Sequence, residues 1–314
     1  MSAREFMTFA IRKDQPMIDV VIVGGGPAGL SAALVLGRAC RRVVLLDSGR
    51  PRNSISPALH GFLTRDCSDP AELRQIGREQ LRRYDSVEVR DAVVIDARTV
   101  GDGFEVELEG GEHLACRKLL LATGVRDELP RIEGFADFYG SSAFHCPYCD
   151  GWEWRNRRIA ICGKGEKGAA LALELLGWTP DVVLFTNGPA ELAEDDRSSL
   201  RRNGIAIEEA TILRLEGEEG LLRAVALEGG RSIVRDVLFF AAPISQSCDI
   251  ASRFGCEFDE KGAVRTRAYE RTNVPGLYVA GDASRHVELA IVAAAEGAMA
   301  AFAVNSELLK EDRA

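Results

Sequence analysis

The chain has 314 residues, of which 46% are hydrophobic and 28% are charged, and its formal net charge is -9. This composition is typical of a globular protein with one large domain or two moderate ones. No block of five or more basic residues occurs, so we expect no nucleic-acid partner. The apolar stretch within Met1–Ile18 is too short for a signal peptide, and no apolar run reaches the ~20 residues of a spanning helix. We therefore expect a cytoplasmic protein without membrane contact.

The first structured feature is a strand, a glycine-rich turn, a helix and a second strand. Asp19–Val23 and Val43–Leu46 are continuous apolar runs, typical of parallel strands buried on both faces. In the turn, glycines would let the backbone approach a pyrophosphate, which the helix N-terminus would bind. A carboxylate at the end of the second strand is expected to accept ribose hydroxyls. The dinucleotide-binding residues predicted from this unit are Gly24, Gly26, Pro27, Ala28, Gly29 and Asp47.

A pair of cysteines two residues apart, Cys146 and Cys149, is followed directly by Asp150. Eight cysteines in a cytoplasmic chain do not indicate a disulfide scaffold, so a close pair favours redox chemistry or metal binding. Half of a zinc site and an inert buried pair are the alternatives, but a zinc site of this kind needs a second C-x-x-C, which is missing. We interpret the pair as a redox-active disulfide because the same chain has a dinucleotide loop. We predict no metal site.

A second strand–turn–helix–strand unit runs from Arg158 to Phe185. Its turn repeats the spacing of a dinucleotide loop through Gly163, Gly165 and Gly168. Each unit has the size expected of the βαβ building block of a parallel-sheet nucleotide fold. The two units predict an α/β fold with two Rossmann-like, three-layer domains.

Two other predicted strands end in turns. One is Leu119–Gly124, and the other lies within Val274–Asp282. A long Ala-rich helix is predicted over Glu288–Leu308, after the second of these turns.

The order of these motifs resembles that of the low-molecular-weight thioredoxin reductases over nearly the whole chain. The shared sequence motifs are GGGPAG, Ala-Thr-Gly, Cys-Pro-Tyr-Cys-Asp-Gly, the second glycine loop and Gly-Asp before a helix. The resemblance implies an FAD-binding domain formed by 1–125 and 243–314, with a second, pyridine-nucleotide-type domain inserted at 126–242. It also implies a homodimer. The residues that it places against FAD are Gly24, Gly26, Gly29, Asp47, Thr123, Gly124, Gly281 and Asp282.

The same resemblance assigns roles to the cysteine motif. Cys149 would face the flavin and Cys146 would exchange with a thioredoxin-like protein or a small disulfide or dithiol. Asp150 would be the acid that protonates the resulting thiolate, with a turn residue before Gly151 as the alternative. His145 is either a cation that lowers a thiol pKa or only a solvated ring.

Three segments depart from the family. The basic cluster that binds the 2′-phosphate of NADPH is replaced by Thr186-Asn187-Gly188, the Arg-Gln pair near the flavin by Glu288 and Leu289, and a Gly before Pro by Ala241-Ala242. NADPH is therefore a doubtful cofactor. Relatives without NADPH use ferredoxin, pass electrons from dithiols to oxygen, or carry a second dinucleotide such as FAD in the inserted domain. The alternatives are an ordinary NADPH-dependent thioredoxin reductase and a flavoprotein redox sensor without turnover.

Several weaker candidates remain. The loop His60-Gly61-Phe62 either covers the flavin or is a plain turn. Trp152 and Trp154 are interpreted as interdomain packing rather than a docking surface. The remaining cysteines have no pair spacing and are predicted to be small buried apolar residues: Cys40, Cys67, Cys116, Cys162, Cys248 and Cys256.

Overall fold

The computed structural model describes residues 17–241 and 243–314. The first 16 residues of the predicted segment 1–125, and residue 242 at the end of the predicted insert, lie outside the described part. The helices are α1 Pro27–Arg38, α2 Pro70–Leu81, α3 Phe135–Phe138, α4 Pro147–Asp150, α5 Gly165–Leu175, α6 Glu194–Arg202, α7 Ile250–Arg253 and α8 Ala290–Glu311.

The strands are β1 Ile18–Val23, β2 Val43–Asp47, β3 Val87–Asp91, β4 Val94–Val100, β5 Gly103–Leu108, β6 His113–Leu121, β7 Val125–Asp127, β8 Ala143–Phe144, β9 Ile159–Cys162, β10 Val182–Phe185, β11 Ala206–Glu208, β12 Ile212–Glu218, β13 Leu221–Leu227, β14 Arg231–Val234, β15 Val237–Phe240, β16 Ile244–Gln246 and β17 Leu277–Val279. Short 3₁₀ turns lie at Arg52–Ile55 and Ala268–Glu270.

The first sheet has the order β3-β2-β1-β6-β5-β4, and β17 pairs with the C-terminal end of β6. The pairs formed by β1, β2, β3, β6 and β17 are parallel, whereas β4 and β5 extend the sheet in antiparallel pairs. Alternate residues of β1 enter two separate buried clusters: Val20 and Ile22 pack with α1 and α8, and Val21 and Val23 pack with α7. This burial on both faces explains the continuous apolar run of β1.

The second sheet has the order β11-β10-β9-β15-β8, and all of its pairs are parallel. Helices α5 and α6 contact each other beside it, and the antiparallel ribbon β12-β13-β14 accompanies it. The chain leaves the first sheet after β6 and returns to it at β17. The predicted fold class, α/β with one Rossmann-like domain inserted into the other, is confirmed.

An antiparallel pair of short strands, β7 and β16, lies where the chain passes between the two sheets. The predicted boundary at 125/126 falls within β7, and the one at 242/243 lies just before β16. The first sheet and the second therefore meet near residues that are far apart in sequence, and a cleft lies at this junction.

Helix α8 is tightly packed on α1. A Cβ added to Gly297 would lie 2.0 Å from the carbonyl oxygen of Ala28, so only glycine permits this approach. Contrary to the sequence-based expectation, α8 is long and apolar enough, by length and composition, to span a membrane. The buried positions of its apolar face, such as Ala300 and Val304, pack in the core with α1, which accounts for this composition within the fold.

Candidate functional site

One cleft brings together nearly all the residues predicted to bind FAD and the cysteine motif of the inserted domain. It lies along the carboxyl end of β1 and the N-terminus of α1, the usual position of a ligand in an open α/β sheet. The predicted residues that line it are Gly24, Gly26, Pro27, Ala28, Asp47, Thr123, Gly124, Cys146, Cys149, Asp150, Gly281 and Asp282. Gly29 does not line the cleft.

The first glycine loop fits a bound dinucleotide. Gly24 has φ +114°, and a Cβ there would lie 2.1 Å from the carbonyl oxygen of Ala122. A Cβ on Gly26 would meet no protein atom within 4 Å, so its backbone is open to a ligand in the cleft. A Cβ on Gly29 would lie 1.8 Å from the carbonyl oxygen of Gly24. Gly29 was expected to contact FAD; its contact in the structure is with the loop itself, where it lets α1 approach β1.

Asp47 is buried at the end of β2 and accepts two hydrogen bonds. Gly49 N donates to its Oδ1 at 2.9 Å, and Arg74 Nη2 donates to its Oδ2 at 2.9 Å. Burial alone would raise the pKa of Asp47, but these bonds and the charges of Arg74 and Arg78 lower it. The carboxylate is therefore ionised near neutral pH and keeps lone pairs free to accept ribose hydroxyls.

The cysteine pair forms a disulfide with a Cα–Cα distance of 5.3 Å. Cys146 precedes α4, and Cys149 lies within it, one turn later. The backbone N–H of Cys149 donates to Cys146 Sγ at 3.2 Å. After reduction, such a donor would stabilise a thiolate on Cys146 more than the thiol. Both side chains are partly exposed to the cleft.

Asp150, the last residue of α4, lies in the same cleft. Burial, together with the charge of Glu153, raises the pKa of Asp150 to about 7. A carboxyl group with this pKa exchanges a proton readily at neutral pH, as required of an acid or base beside a thiol. Asp150 is half-buried and lines the cleft, and its role as the acid stays a prediction.

A charge cluster centred on Arg52 forms part of the cleft wall. Arg52 Nη1 lies 2.5 Å from Glu288 Oε2 and 3.2 Å from Asp282 Oδ2, and Arg52 Nε lies 2.9 Å from Asp127 Oδ2. Burial raises the pKa of both Asp282 and Glu288. At Asp127 the hydrogen bonds and charge of Arg52 outweigh burial, and the pKa is lowered. The cluster joins the turn after β2 to β7 and to the segment before α8.

His145 is next to Cys146 but does not supply a positive charge. Burial and the charge of Arg52 lower the pKa of His145 to about 4, so the ring is neutral at pH 7. The interpretation of His145 as a cation that lowers a thiol pKa is therefore wrong. The ring packs edge-on against Phe240, with the centroids 6.3 Å apart.

The second glycine loop is used for internal contacts. Gly165 N donates to the carbonyl oxygen of Ala190 at 2.9 Å, and Lys164 Nζ lies 3.3 Å from Glu191 Oε1. A Cβ on Gly163 would lie 2.9 Å from Gly168 Cα, so these two glycines let α5 approach β9. Gly163, Gly165 and Gly168 do not line the cleft that contains Cys146 and Cys149.

The residues after β10 are also bonded within the protein. Thr186 is buried, and its hydroxyl donates to the carbonyl oxygen of Gly188 at 2.5 Å. Asn187 Oδ1 accepts from the backbone N–H of Ile212 at 2.9 Å. The Thr186 hydroxyl and the Asn187 side-chain oxygen are thus used for contacts within the protein.

Several other predictions need correction. Cys40 and Cys67 are exposed and Cys248 is half-buried, whereas all three were predicted to be buried. Cys40 and Cys67 lie in surface turns, with φ of 56° and 63°. Trp152 is 63% exposed and stacks on Arg155, so it does not pack between domains. Trp154 packs against Phe144 beside the second sheet.

Sequence reasoning missed Arg52, Asp127, Arg74 and Tyr139. The Tyr139 hydroxyl donates to Asp127 Oδ2 at 2.6 Å and lines the cleft beside Arg52. Arg52 and Arg74 belong to charged stretches without a motif, so only the folded chain identifies their partners. The one sequence feature that could have indicated this cluster was Glu288, which stands where the thioredoxin reductases have the Arg-Gln pair near the flavin.

Residues 18–297 match the sequence model of the family described as pyridine nucleotide-disulphide oxidoreductase. The chain is 33% identical over 281 residues to thioredoxin reductase tcpT of Claviceps purpurea, an alignment that covers 85% of this chain and 86% of that protein. It is 31% identical to thioredoxin reductase aclD of Aspergillus oryzae, with 95% and 99% of the two chains covered.

Two solved structures show the same likeness. The crystal structure of HlmI superposes with a TM-score of 0.90 at 38% identity, covering 94% of each chain. The oxidoreductase from Agrobacterium tumefaciens has a TM-score of 0.88 at 34% identity, covering 94% of this chain and 99% of that one.

Proposed function

Because this chain belongs to the pyridine nucleotide-disulphide oxidoreductase family, we propose that it catalyses FAD-dependent dithiol–disulfide exchange through Cys146 and Cys149. The observation that carries the proposal is that the disulfide opens into the same cleft as the first glycine loop. A dinucleotide bound along that loop and a substrate at the disulfide would share one cavity.

Different residues of the cleft would bind different parts of FAD. The open backbone at Gly26 and the N-terminus of α1 would hold the pyrophosphate, and the ionised Asp47 would hold the ribose. Thr123, Gly124 and Asp282 would line the flavin end. Bound there, FAD supplies the two-electron redox chemistry.

The cysteine pair performs the exchange with the substrate. In the reducing direction, the Cys146 thiolate attacks a substrate disulfide and releases one substrate thiol, forming a mixed disulfide. Cys149 then attacks Cys146, which releases the second substrate thiol and restores the protein disulfide. The N–H donated by Cys149 to Cys146 Sγ supports Cys146 as the attacking thiol and leaves Cys149 for the flavin side.

Asp150 is the proton donor and acceptor of this site. With its pKa raised to about 7 by burial and by Glu153, it delivers a proton to a thiolate when the disulfide is reduced. In the opposite direction the ionised carboxylate takes the proton from a thiol. Its place in the cleft beside the pair supports this role.

NADPH is not an efficient electron source in this proposal. The support is that Gly165 N is bonded to Ala190 O, that the Thr186 hydroxyl and Asn187 Oδ1 are bonded internally, and that Thr186-Asn187-Gly188 has no arginine for a 2′-phosphate. The same contacts count against a second dinucleotide at Gly163–Gly168. Ferredoxin or oxygen would then be the redox partner of the flavin.

The substrate would be a thioredoxin-like protein or a small disulfide or dithiol in the cytoplasm. We also propose a homodimer. Exposed apolar side chains on α8, Met299 and Phe302, adjoin Tyr269, whose ring lies 5.9 Å from that of Phe302. A monomeric mass by light scattering at micromolar concentration would contradict the homodimer.

The test of the proposed function replaces each cysteine by serine in the FAD-loaded protein. Cys146→Ser leaves the Cys149 thiolate beside oxidised FAD and should give a broad charge-transfer absorbance beyond the main flavin bands. Cys149→Ser should not give it. Turnover of disulfide or dithiol substrates should fall by at least about 1000-fold in both variants, since the exchange needs an attacking and a resolving sulfur. Cys116→Ser, at a buried free cysteine outside the cleft, is the control.

Two rivals are separated by the same experiments. Rapid flavin reduction by micromolar NADPH would favour the NADPH-dependent thioredoxin reductase that the names of the fungal relatives suggest. A protein that binds FAD but turns over no disulfide or dithiol substrate would be a redox sensor. Substantial turnover in either serine variant would remove the pair from the active centre.

A further inference from the structure

A small closed loop at the rim of the cleft brings three metal-ligating side chains together. Leu59 and Ser68 pair as an antiparallel bridge, with Leu59 N donating to Ser68 O at 2.7 Å. Cys67 N donates back to Leu59 O at 2.8 Å. This closure brings His60, at the start of the loop, next to Asp66 and Cys67 at its end.

The distances among these side chains match those of ligands around one ion. Cys67 Sγ lies 3.7 Å from His60 Nδ1 and 3.7 Å from Asp66 Oδ2, and the three ligand atoms lie within 4.8 Å of one another. In a tetrahedral zinc site with Zn–S of about 2.3 Å and Zn–N of about 2.0 Å, sulfur and nitrogen are separated by roughly 3.5 Å. An ion at the centre of the three atoms therefore needs only a small adjustment.

The outer contacts orient one of these ligands and place a carboxylate beside another. Gly61 N donates to Asp66 Oδ1 at 2.8 Å, which leaves Oδ2 directed to the cluster. His60 Nε2 lies 3.8 Å from Glu153 Oε1, so the imidazole has a carboxylate on the side opposite Cys67. At this distance the carboxylate makes no hydrogen bond to the ring, but its negative charge favours a cation at the cluster.

We propose that His60, Asp66 and Cys67 bind one thiophilic divalent transition-metal ion, with zinc as the first choice, and that water completes the coordination. The combination of thiolate, imidazole and carboxylate suits zinc better than calcium or magnesium, which prefer oxygen ligands alone. Binding would exchange the Cys67 thiol proton for the metal.

The charge around Cys67 favours a cation. Asp66 Oδ2 lies 3.7 Å from Cys67 Sγ, and Glu153 Oε1 lies 3.8 Å from His60 Nε2, so two carboxylates adjoin the cluster. A bound dication would offset these negative charges.

The site is connected to the dithiol centre. His60 also lines the cleft that contains Cys146 and Cys149, and Glu153 follows α4 and raises the pKa of Asp150. A bound metal would fix the His60 ring at the cleft rim. Sequence reasoning did not find this site because its ligands, at positions 60, 66 and 67, match no zinc spacing.

The test uses FAD-loaded protein in which Cys146 and Cys149 are both serine, so that only the free cysteines can bind metal. After incubation with Zn²⁺ and desalting without dithiol reagents, elemental analysis should find one zinc per chain. Co²⁺ in place of zinc should give thiolate-to-cobalt charge-transfer absorbance. In this background Cys67→Ser and Asp66→Asn should lose the metal.

Cys40→Ser is the matched control, since Cys40 is also exposed, free and at positive φ but has no such cluster. It should keep one zinc. The FAD content and far-UV circular dichroism of each variant report whether it folds. If Cys67→Ser loses FAD, the test of metal binding rests on Asp66→Asn, which retains the hydrogen-bond acceptor for Gly61 N. Absence of stoichiometric zinc in the background protein, retention in both variants of the cluster, or equal loss in Cys40→Ser would each overturn the proposal.

Discussion

The two glycine-rich loops have similar spacing but different uses. In the first loop, the backbone of Gly26 is open to the cleft. Asp47 lies so close to this loop that a Cβ on Gly25 would be 2.3 Å from the carboxyl carbon of Asp47. In the second, Gly165 N is bonded to Ala190 O. The inserted domain instead contributes α4, with the disulfide and Asp150, to the shared cleft. Glycine spacing thus specifies a tight strand–helix approach, whereas the segment after the second strand decides whether a ligand can bind.

The largest expected effect tests what the inserted domain contributes. Asp150→Asn should slow electron transfer between flavin and disulfide by about 10²- to 10⁴-fold, since the variant has no transferable proton. In the native protein the pKa of Asp150 is about 7, so the acid form is lost as pH rises through 7. Reduction of a disulfide substrate should slow over that range, and oxidation of a dithiol should accelerate.

Anaerobic single-turnover measurements from pH 5.5 to 8.5 would follow both directions. Asp195→Asn, a carboxylate in the first turn of α6, is the control and should keep the native profile. If Asp150→Asn keeps both the native rate and the inflection near pH 7, Asp150 is not the proton carrier.

The second prediction separates a ligand-binding glycine from a packing glycine. Gly26→Leu places a side chain in space that no protein atom occupies, and it should weaken FAD binding by about 100-fold or more, which is about 2.7 kcal/mol. Gly163→Ala instead crowds Gly168 and should lower the free energy of unfolding by about 1–3 kcal/mol with FAD retained. FAD titration of the apoprotein and urea unfolding measure the two effects. Equal loss of FAD in both variants would erase the contrast between the loops.

Local patterns predicted only part of this contrast. The strands, the first loop, Asp47 and the C-x-x-C pair were predictable because each depends on neighbours close in sequence. The Arg52 cluster was not, because Arg52 and its partners Asp127 and Glu288 are separated by 75 and 236 positions. The closure of the second loop was also unpredictable in detail: the sequence shows that basic residues are missing after β10, but not that Ala190 occupies the N–H of Gly165.

The third prediction concerns the second loop in the native protein. NADPH should bind with a Kd above about 1 mM, weaker than about -4 kcal/mol, because no side chain after β10 is available for the 2′-phosphate. Calorimetry with NADPH, and flavin bleaching under anaerobic conditions, would measure this. Micromolar binding together with rapid bleaching would show that the second loop opens and would restore a nicotinamide-dependent reaction.

The smallest expected effect comes from the ion pair over the second loop. Glu191→Ala removes the contact with Lys164, which is 39% exposed in a pair whose other member is 66% exposed, so unfolding free energy should fall by less than about 1 kcal/mol. Glu219→Ala is the matched control, since Glu219 is also exposed and at positive φ, 51° against 54°. NADPH binding should stay undetectable in both variants, because the Gly165–Ala190 bond is formed by the backbone and Lys164, although released from Glu191, is a single partly exposed cation. If Glu191→Ala alone bound NADPH at micromolar concentration, the side chain of Glu191 would be what excludes the nucleotide. The difference between the two loops would then depend on one residue rather than on the whole segment after β10.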